Sequence, residues 1–254
     1  RSGMSTKDED FVTQLFVANT HTPILFFSSR GIVYKEKVWR LPVGTPQSVG
    51  KFLRNMLPLE EGESITTIMP LPEDEESWGA LDVMFATTRG TVRRNKLSDF
   101  VQVNRNGKIA MKLDDPSDEI LGVFTCTEND DVLLTAASGQ CIRFCVTDVR
   151  VFAGRNSTGV RGIKLAKGDR VISMSILRSG ETVSTEERDA YLRYANAKRR
   201  GENGGSENGP TEISAEIELS QERLDELAEA EQFVLSVAAD GYGKRTSAYE
   251  YRVT

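Results

Sequence analysis

The 254 residues are 39% hydrophobic and carry a formal net charge of −6, enough apolar content to close one large core or two small ones. No apolar run approaches the 18 residues of a membrane-crossing helix, and Arg1–Asp10 has no apolar stretch of the secretory kind. Three cysteines (Cys126, Cys141, Cys145) and a single histidine, His21, argue against a disulfide framework or a four-ligand zinc site, so buried free thiols in a reducing compartment are expected.

In chain order, DFVTQL (Asp10–Leu15) reads as an apolar strand behind an acidic start. ILFFSSRGIVYKEKVWRL (Ile24–Leu41) reads as a β-hairpin, two β-branched and aromatic runs around small residues and a glycine. A basic, glycine-bearing segment follows, SVGKFLRNML (Ser48–Leu57), then an acidic turn entering an apolar strand, ESITTI (Glu63–Ile68). The same order returns with the hairpin VMFATTRGTVRRNKLSDF (Val83–Phe100), then RNGKIAMKL (Arg105–Leu113) and DEILGV (Asp118–Val123). It returns again with VLLTAASGQCIRFCVTDV (Val132–Val149), TGVRGIKL (Thr158–Leu165) and DRVISM (Asp169–Met174). From Ser184, STEERDAYLRYANAKRR has helical spacing and a capping start, and GENGGSENGP (Gly201–Pro210) is a loop. SQERLDELAEAEQ (Ser220–Gln232) is a second short helix with Leu224, Leu227 and Ala228 on one face. A fourth hairpin, VLSVAADGYGKRTSAYEY (Val234–Tyr251), comes last.

The hairpins align on Gly31, Gly90, Gly139 and Gly241. Ile24, Val83, Val132 and Val234 stand seven residues before the glycine. Val38, Leu97, Val146 and Ala248 stand seven after it, and Leu41, Phe100, Val149 and Tyr251 ten after it. The run before each turn is apolar throughout, as in a strand covered on both faces. Each unit supplies about four strands at a period near 50 residues, which is a propeller-like arrangement. The expected division is β blades over 1–177, an acidic, flexible and partly helical insert over 178–231, and a last, incomplete blade over 232–254.

Four residues after the glycine every copy is basic: Lys35, Arg94, Arg143 and Arg245. Core packing does not demand a cation at one fixed place. The acidity lies elsewhere, since 178–231 holds 7 basic and 14 acidic residues and the rest holds 25 and 24. A cation once per blade makes a curved track that neutralises phosphates and reads no bases. The leading candidates for phosphate contact are therefore Lys35, Arg94, Arg143 and Arg245. Lys37, Arg40, Lys51, Arg54, Arg93, Lys96, Arg105, Lys108, Arg155, Arg161 and Lys164 come next. The insert reads as a solvated excursion, or more sharply as an acidic arm that competes with a polyanion. GTPQSVGK (Gly44–Lys51) is not a P-loop, because five residues separate its glycines and Phe52 follows the lysine. No nucleophile elbow, HExxH or paired catalytic acids occur in the sequence. Trp39 and Trp78 read as packing or rim residues. A WD-type interaction scaffold is disfavoured by the missing GH…WD signature.

LFVANTHTPILFFSSRGIVY, KVWRLP, NMLPL, STGVRGIKLAKGD, DGYGKRT and the closing YEY resemble the C-terminal domain of the bacterial DNA gyrase A subunit. The related domain of topoisomerase IV is the close alternative. The resemblance covers nearly the whole chain outside 178–231. It implies an all-β fold, a β-pinwheel of four-stranded blades that exchange a strand between neighbours. It also implies duplex DNA wrapped around a basic rim in support of ATP-dependent negative supercoiling. The implied partners are double-stranded DNA, the catalytic N-terminal region of the same subunit and the ATPase subunit, with no membrane. The implied setting is the bacterial cytoplasm and nucleoid, with no cofactor in this domain and no catalysis by it alone. The family's Gln-Arg-Arg-Gly-Gly-x-Gly signature is absent and is expected just before Arg1, which is not a natural start.

Overall fold

The computed structural model describes residues 12–154, 157–178, 183–202 and 219–254. Contacts divide the chain into two compact units. One is Arg1–Glu128 with Leu134–Cys141 and Val146–Met174; the other is Asn129–Leu133 with Ile142–Cys145 and Ser175–Thr254.

All four expected hairpins form. They are β1 (Pro23–Ser28) with β2 (Ile32–Lys37), β4 (Asp82–Thr87) with β5 (Thr91–Lys96), β8 (Asp130–Ala136) with β9 (Cys141–Cys145), and β12 (Phe233–Val237) with β13 (Gly243–Ser247). In each turn the glycine amide donates to the carbonyl three residues earlier, as Gly31 does to Ser28 at 3.1 Å and Gly90 to Thr87 at 3.0 Å. Each hairpin then runs into a short 3-10 turn: Val38–Arg40, Leu97–Phe100, Val146–Asp148 and Ala248–Glu250.

The remaining strands are β3 (Ile65–Pro70), β6 (Lys108–Ile109), β7 (Ile120–Cys126), β10 (Val160–Arg161) and β11 (Val171–Arg178). They build sheets in the orders β3-β1-β2-β6, β10-β5-β4-β7 and β11-β8-β9, while β12 and β13 form a two-stranded sheet. The order contains strand exchange: β6 lies beyond the second hairpin yet completes the sheet of the first, and β10 lies beyond the third yet completes the sheet of the second. The crossing segments press against the hairpin glycines. Gly31 O accepts from the amides of Ala110 and Met111 at 2.8 and 3.2 Å, and Gly90 O from those of Gly162 and Ile163 at 2.8 and 3.3 Å. A Cβ at Gly90 would lie 2.7 Å from Ile163 Cγ2, on a residue whose φ is +85°. Glycine is therefore set there by approach as well as by turn conformation.

The apolar first strands behave as expected where a second layer reaches them. β1 and β4 are buried at every residue. Phe27, Phe85 and Phe100 meet with ring centroids 5.5–6.0 Å apart in one core with Leu25, Val33, Trp78, Val83 and Met111. The acidic turns tie the hairpins to their neighbours. Asp118 Oδ1 accepts from Thr88 Oγ1 at 2.9 Å and from Arg89 N at 3.0 Å, and Asp169 Oδ2 accepts from Ser138 Oγ at 2.6 Å. The Ser138 hydroxyl foremost, with backbone amides, holds the Asp169 carboxyl below its ordinary range.

Several expectations are corrected. Val12–Leu15 of DFVTQL is not a strand; Gln14 meets edge strand β3 only through its side chain, Nε2 donating to Ile68 O at 3.0 Å. SVGKFLRNML contains a 3-10 turn, Leu53–Asn55, rather than a strand. None of the three cysteines is in a disulfide, but only Cys126 is buried and Cys141 is exposed.

The insert folds as two helices, α1 (Thr185–Glu202) and α2 (Gln221–Ala230). Ser220 caps α2, its hydroxyl accepting from Arg223 N at 3.2 Å. Tyr191 and Ala195 of α1 pack on Leu224 and Leu227 of α2, whereas Ala228 faces solvent. Tyr249, beyond β13, joins this cluster, its ring 5.4 Å from that of Tyr191 and its hydroxyl donating to Leu227 O at 3.2 Å. At the root of the insert, Gln232 pairs with both backbone groups of Arg178. The described part is thus a docked helical pair. Positions 203–210 of the expected loop lie outside the described residues.

Candidate nucleic-acid interface

The cation four residues after the glycine does not stand on an open rim. Arg94 is 3% exposed. Its Nε and Nη2 meet Asp82 Oδ2 at 2.7 and 2.5 Å, and Nη2 reaches Glu128 at 3.0 Å. Its Nη1 donates to Val146 O and Val149 O, each at 3.4 Å. Arg143 repeats the arrangement, with Asp131 Oδ2 at 2.7 and 2.9 Å and the carbonyls of Ala248 and Tyr251 at 2.8 and 3.2 Å. Lys35, mostly buried, donates to Val101 O at 2.7 Å and pairs with Glu75 at 2.8 Å, over the Trp78 ring. Each of these cations reaches across to the 3-10 turn of the following hairpin. The shared position is a lock between neighbouring repeats.

The lock explains why the position stays basic. The end of a 3-10 turn leaves carbonyls without partners inside the fold, and a guanidinium supplies donors in a fixed fork. The buried charge needs an acid, and Asp82 and Asp131 both stand eight residues before their glycine. In the first hairpin that place is Pro23, and the shorter Lys35 turns to Glu75 instead. In the fourth it is Phe233, and Arg245 is exposed with its guanidinium 4.2 Å from the Phe233 ring.

The other candidates divide by their partners. Arg93 is buried, donating to Asn95 Oδ1 at 2.7 Å and to Ser157, 4.8 Å from the Phe152 ring. Lys96 pairs with Asp82 Oδ1 at 2.7 Å, Lys37 lies 3.7 Å from Glu75, and Arg40 lies 3.5 Å from Glu36 and over Trp39. Lys108 donates to the carbonyls of Gln102 and Asp99. Arg155 lies outside the described residues. Lys51, Arg54, Arg105, Arg161 and Lys164 are exposed, and among the described residues none has a carboxylate within ion-pair distance. All five belong to the glycine-bearing segments that follow the hairpins; Arg105, Arg161 and Lys164 lie on the two segments that supply β6 and β10, and Lys51 and Arg54 on the one that carries the Leu53–Asn55 turn. The free charge therefore sits on the segments that follow the hairpins.

Sequence reasoning passed over exposed cations beside these. Arg161 lines a groove with Arg89 and Lys112, where Arg89 is held by Asp115 at 2.6 Å. Hydrogen bonds from Ser117 foremost, then Arg89, keep the Asp115 carboxyl below its ordinary range. Among the described residues no group of His, Cys, Asp and Glu is placed to hold a metal ion, and no helix is long and apolar enough to cross a membrane.

Hairpins that pass a strand to the preceding sheet and are locked to the next by a buried cation define a propeller-type domain of the pinwheel kind. The family model described as "DNA gyrase C-terminal domain, beta-propeller" matches residues 22–72, 81–127, 130–178 and 232–254. The chain belongs to this family. The DNA gyrase A subunit of Granulibacter bethesdensis is 48% identical over 265 aligned residues, covering 100% of this chain and 28% of that protein. The Rickettsia bellii counterpart is 46% identical over 254 residues, with 100% and 28% covered. The Escherichia coli K12 counterpart is 43% identical over 191 residues, with 75% and 21% covered. The chain thus spans under a third of the relatives it matches. Two solved structures share the fold. A topoisomerase IV C-terminal domain has a TM-score of 0.61 at 22% identity, over 72% of this chain and 54% of that one. A gyrase A C-terminal domain has a TM-score of 0.59 at 18% identity, over 93% and 58%.

Proposed function

We propose that this domain binds duplex DNA without sequence preference and bends it along the free cations of the segments that follow its hairpins, serving a gyrase that introduces negative supercoils. The observation that carries this reading is the segregation of charge. Lys35, Arg94 and Arg143 of the first three hairpins are consumed by locks, while Lys51, Arg54, Arg105, Arg161 and Lys164 are exposed and, among the described residues, not ion-paired with a carboxylate. Phosphates bound there release counterions, which supplies affinity without reading bases. Bending 20–30 base pairs by 40–90° costs roughly 1–6 kcal/mol, so contacts must be spread along the path. Catalysis and ATP hydrolysis belong to other parts of the assembly, namely the N-terminal region of the same subunit and the ATPase subunit. The domain itself needs no cofactor, and it works in the bacterial cytoplasm. Topoisomerase IV, whose C-terminal domain shares the fold, is the second reading, with selection of DNA geometry in place of wrapping.

The test is binding followed by topology. Duplex affinity of the chain should fall steeply with salt and depend little on sequence. Relaxing a nicked plasmid by ligation while the chain is bound should then leave a linking change of one sign. Binding without any linking change would favour plain DNA anchoring over wrapping.

A further inference from the structure

Two arginines not counted above share one place in the repeat. Arg150 follows Gly139 by eleven residues, and Arg252 follows Gly241 by eleven. Each comes directly after a carbonyl gripped by a lock: Val149 O by Arg94 Nη1 at 3.4 Å, and Tyr251 O by Arg143 Nη1 at 3.2 Å. Each directly precedes a residue in a parallel bridge with the lock residue, Val151 with Arg94 and Val253 with Arg143. The backbone is tied once more just beyond, where Phe152 N donates to Arg94 O at 2.8 Å and Thr254 N to Arg143 O at 2.9 Å. Both side chains are exposed on a stem fixed from both sides, and among the described residues neither is ion-paired with a carboxylate. Arg150 is ordered further, with its guanidinium 4.0 Å from the Phe152 ring, which also lies against buried Arg93. The lock does not require arginine at this place. The first two hairpins carry Pro42 and Val101 there, and Lys35 closes on Val101 O with no cation at that position of the repeat.

We propose that Arg150 and Arg252 are phosphate contacts presented by the Arg94 and Arg143 locks, and that helix α1 of the insert screens Arg252 alone. The proposal rests on the duplex-binding reading above. A pinned stem leaves less freedom to lose when a phosphate binds. The two positions differ in surroundings. Arg252 lines the same groove as Glu186, Glu187 and Asp189 from the first turns of α1, three acids against the one further cation there, Arg193. Arg188 foremost, with Arg252 contributing, holds the Asp189 carboxyl below its ordinary range, so it stays ionised at neutral pH. Hydrogen bonds from Ser184 N and Arg223 do the same for Glu187. A phosphate must displace this field to reach Arg252, whereas the neighbour that orders Arg150 is the uncharged Phe152 ring. The insert thereby screens one of the two arginines and leaves the other open.

The experiment is duplex binding by fluorescence anisotropy over a salt series, on the full chain and its variants, with Arg30→Ala as a control for loss of an exposed cation. Arg150→Ala should weaken binding several-fold and reduce the slope of log affinity against log salt by about 0.9. Arg252→Ala alone should change little. Glu186→Gln with Asp189→Asn should tighten binding several-fold, and adding Arg252→Ala should erase the gain. An unchanged slope in Arg150→Ala, when the parent binds duplex, overturns the contact assignment alone. A gain that persists without Arg252 overturns the screening role. A parent that binds no duplex overturns the functional reading and this proposal with it.

Discussion

Arg94 and Arg245 occupy the same place in two copies of one hairpin, yet one is buried and the other open to water. Arg94 has Asp82 across its own hairpin and two carbonyls from the next repeat within reach. Arg245 has Phe233 where the acid would be, and its guanidinium lies on that ring. The strands differ in the same sense. β4 is buried at every residue, whereas Leu235 and Val237 of the equally apolar β12 are exposed. The comparison teaches that a repeated cation is not by itself a binding residue. Its role depends on whether an acid and a set of carbonyls arrive to enclose it.

The sharpest way to break this comparison is to remove both cations. Arg94→Ala leaves the buried Asp82 carboxylate with the half-exposed Lys96 alone and frees two carbonyls, so about 3 kcal/mol of stability should be lost in urea denaturation. Arg245→Ala should stay within about 0.5 kcal/mol, and equal losses would refute the lock. The glycines give a second contrast. Gly90→Ala meets Ile163 on a positive-φ backbone, whereas Gly241→Ala has nothing within 4 Å. The first should cost more than about 2 kcal/mol, from strain plus overpacking, and the second about 1 kcal/mol, from backbone strain; chemical denaturation of both variants measures the gap.

Charge reversal separates lock from track. Arg105→Glu with Arg161→Glu and Lys164→Glu should lower duplex affinity by about tenfold or more in ~0.1 M salt, while the thermal midpoint stays near the parent's. Loss of the fold in this triple variant would mean that these cations are structural after all. The smallest effect is a pH dependence. Burial first, then the Glu63 carboxylate, raises the pKa of Tyr34, and burial with Glu231 raises that of Tyr191. The unfolded chain releases these protons first, near the ordinary value of about 10, so the folded state holds more protons above it. Stability is therefore fully present below pH about 10 and falls as pH rises further. The urea midpoint should drop there, and Tyr34→Phe should flatten the drop.

Much of the fold was legible in the sequence, because strand pattern and turn glycine are local properties. Gly31, Gly90, Gly139 and Gly241 all adopt positive φ in the expected turns, and α1 and α2 lie where spacing and capping put them. The exposure of the candidate cations was legible only in part. Among the described residues Lys51, Arg54, Arg105, Arg161 and Lys164 are exposed and not ion-paired, but Arg94, Arg143 and Arg93 are enclosed and Lys35 nearly so. A usable signal was present: an acid stands eight residues before the glycine only in the two hairpins whose arginine pairs with it inside a lock. It was passed over because it is a pair correlation rather than a recurring residue type.

By itself the sequence determined the repeat, the turn at each glycine, the apolar strands and the placement of helices in the insert, since all of these follow from side-chain periodicity and local backbone preference. Only the tertiary structure decided which cations remain available. The carbonyls that enclose Arg94 lie 52 and 55 residues away, and those that enclose Arg143 lie 105 and 108 away. A charge is silenced or left free by partners at that range, and no local pattern reports whether they arrive.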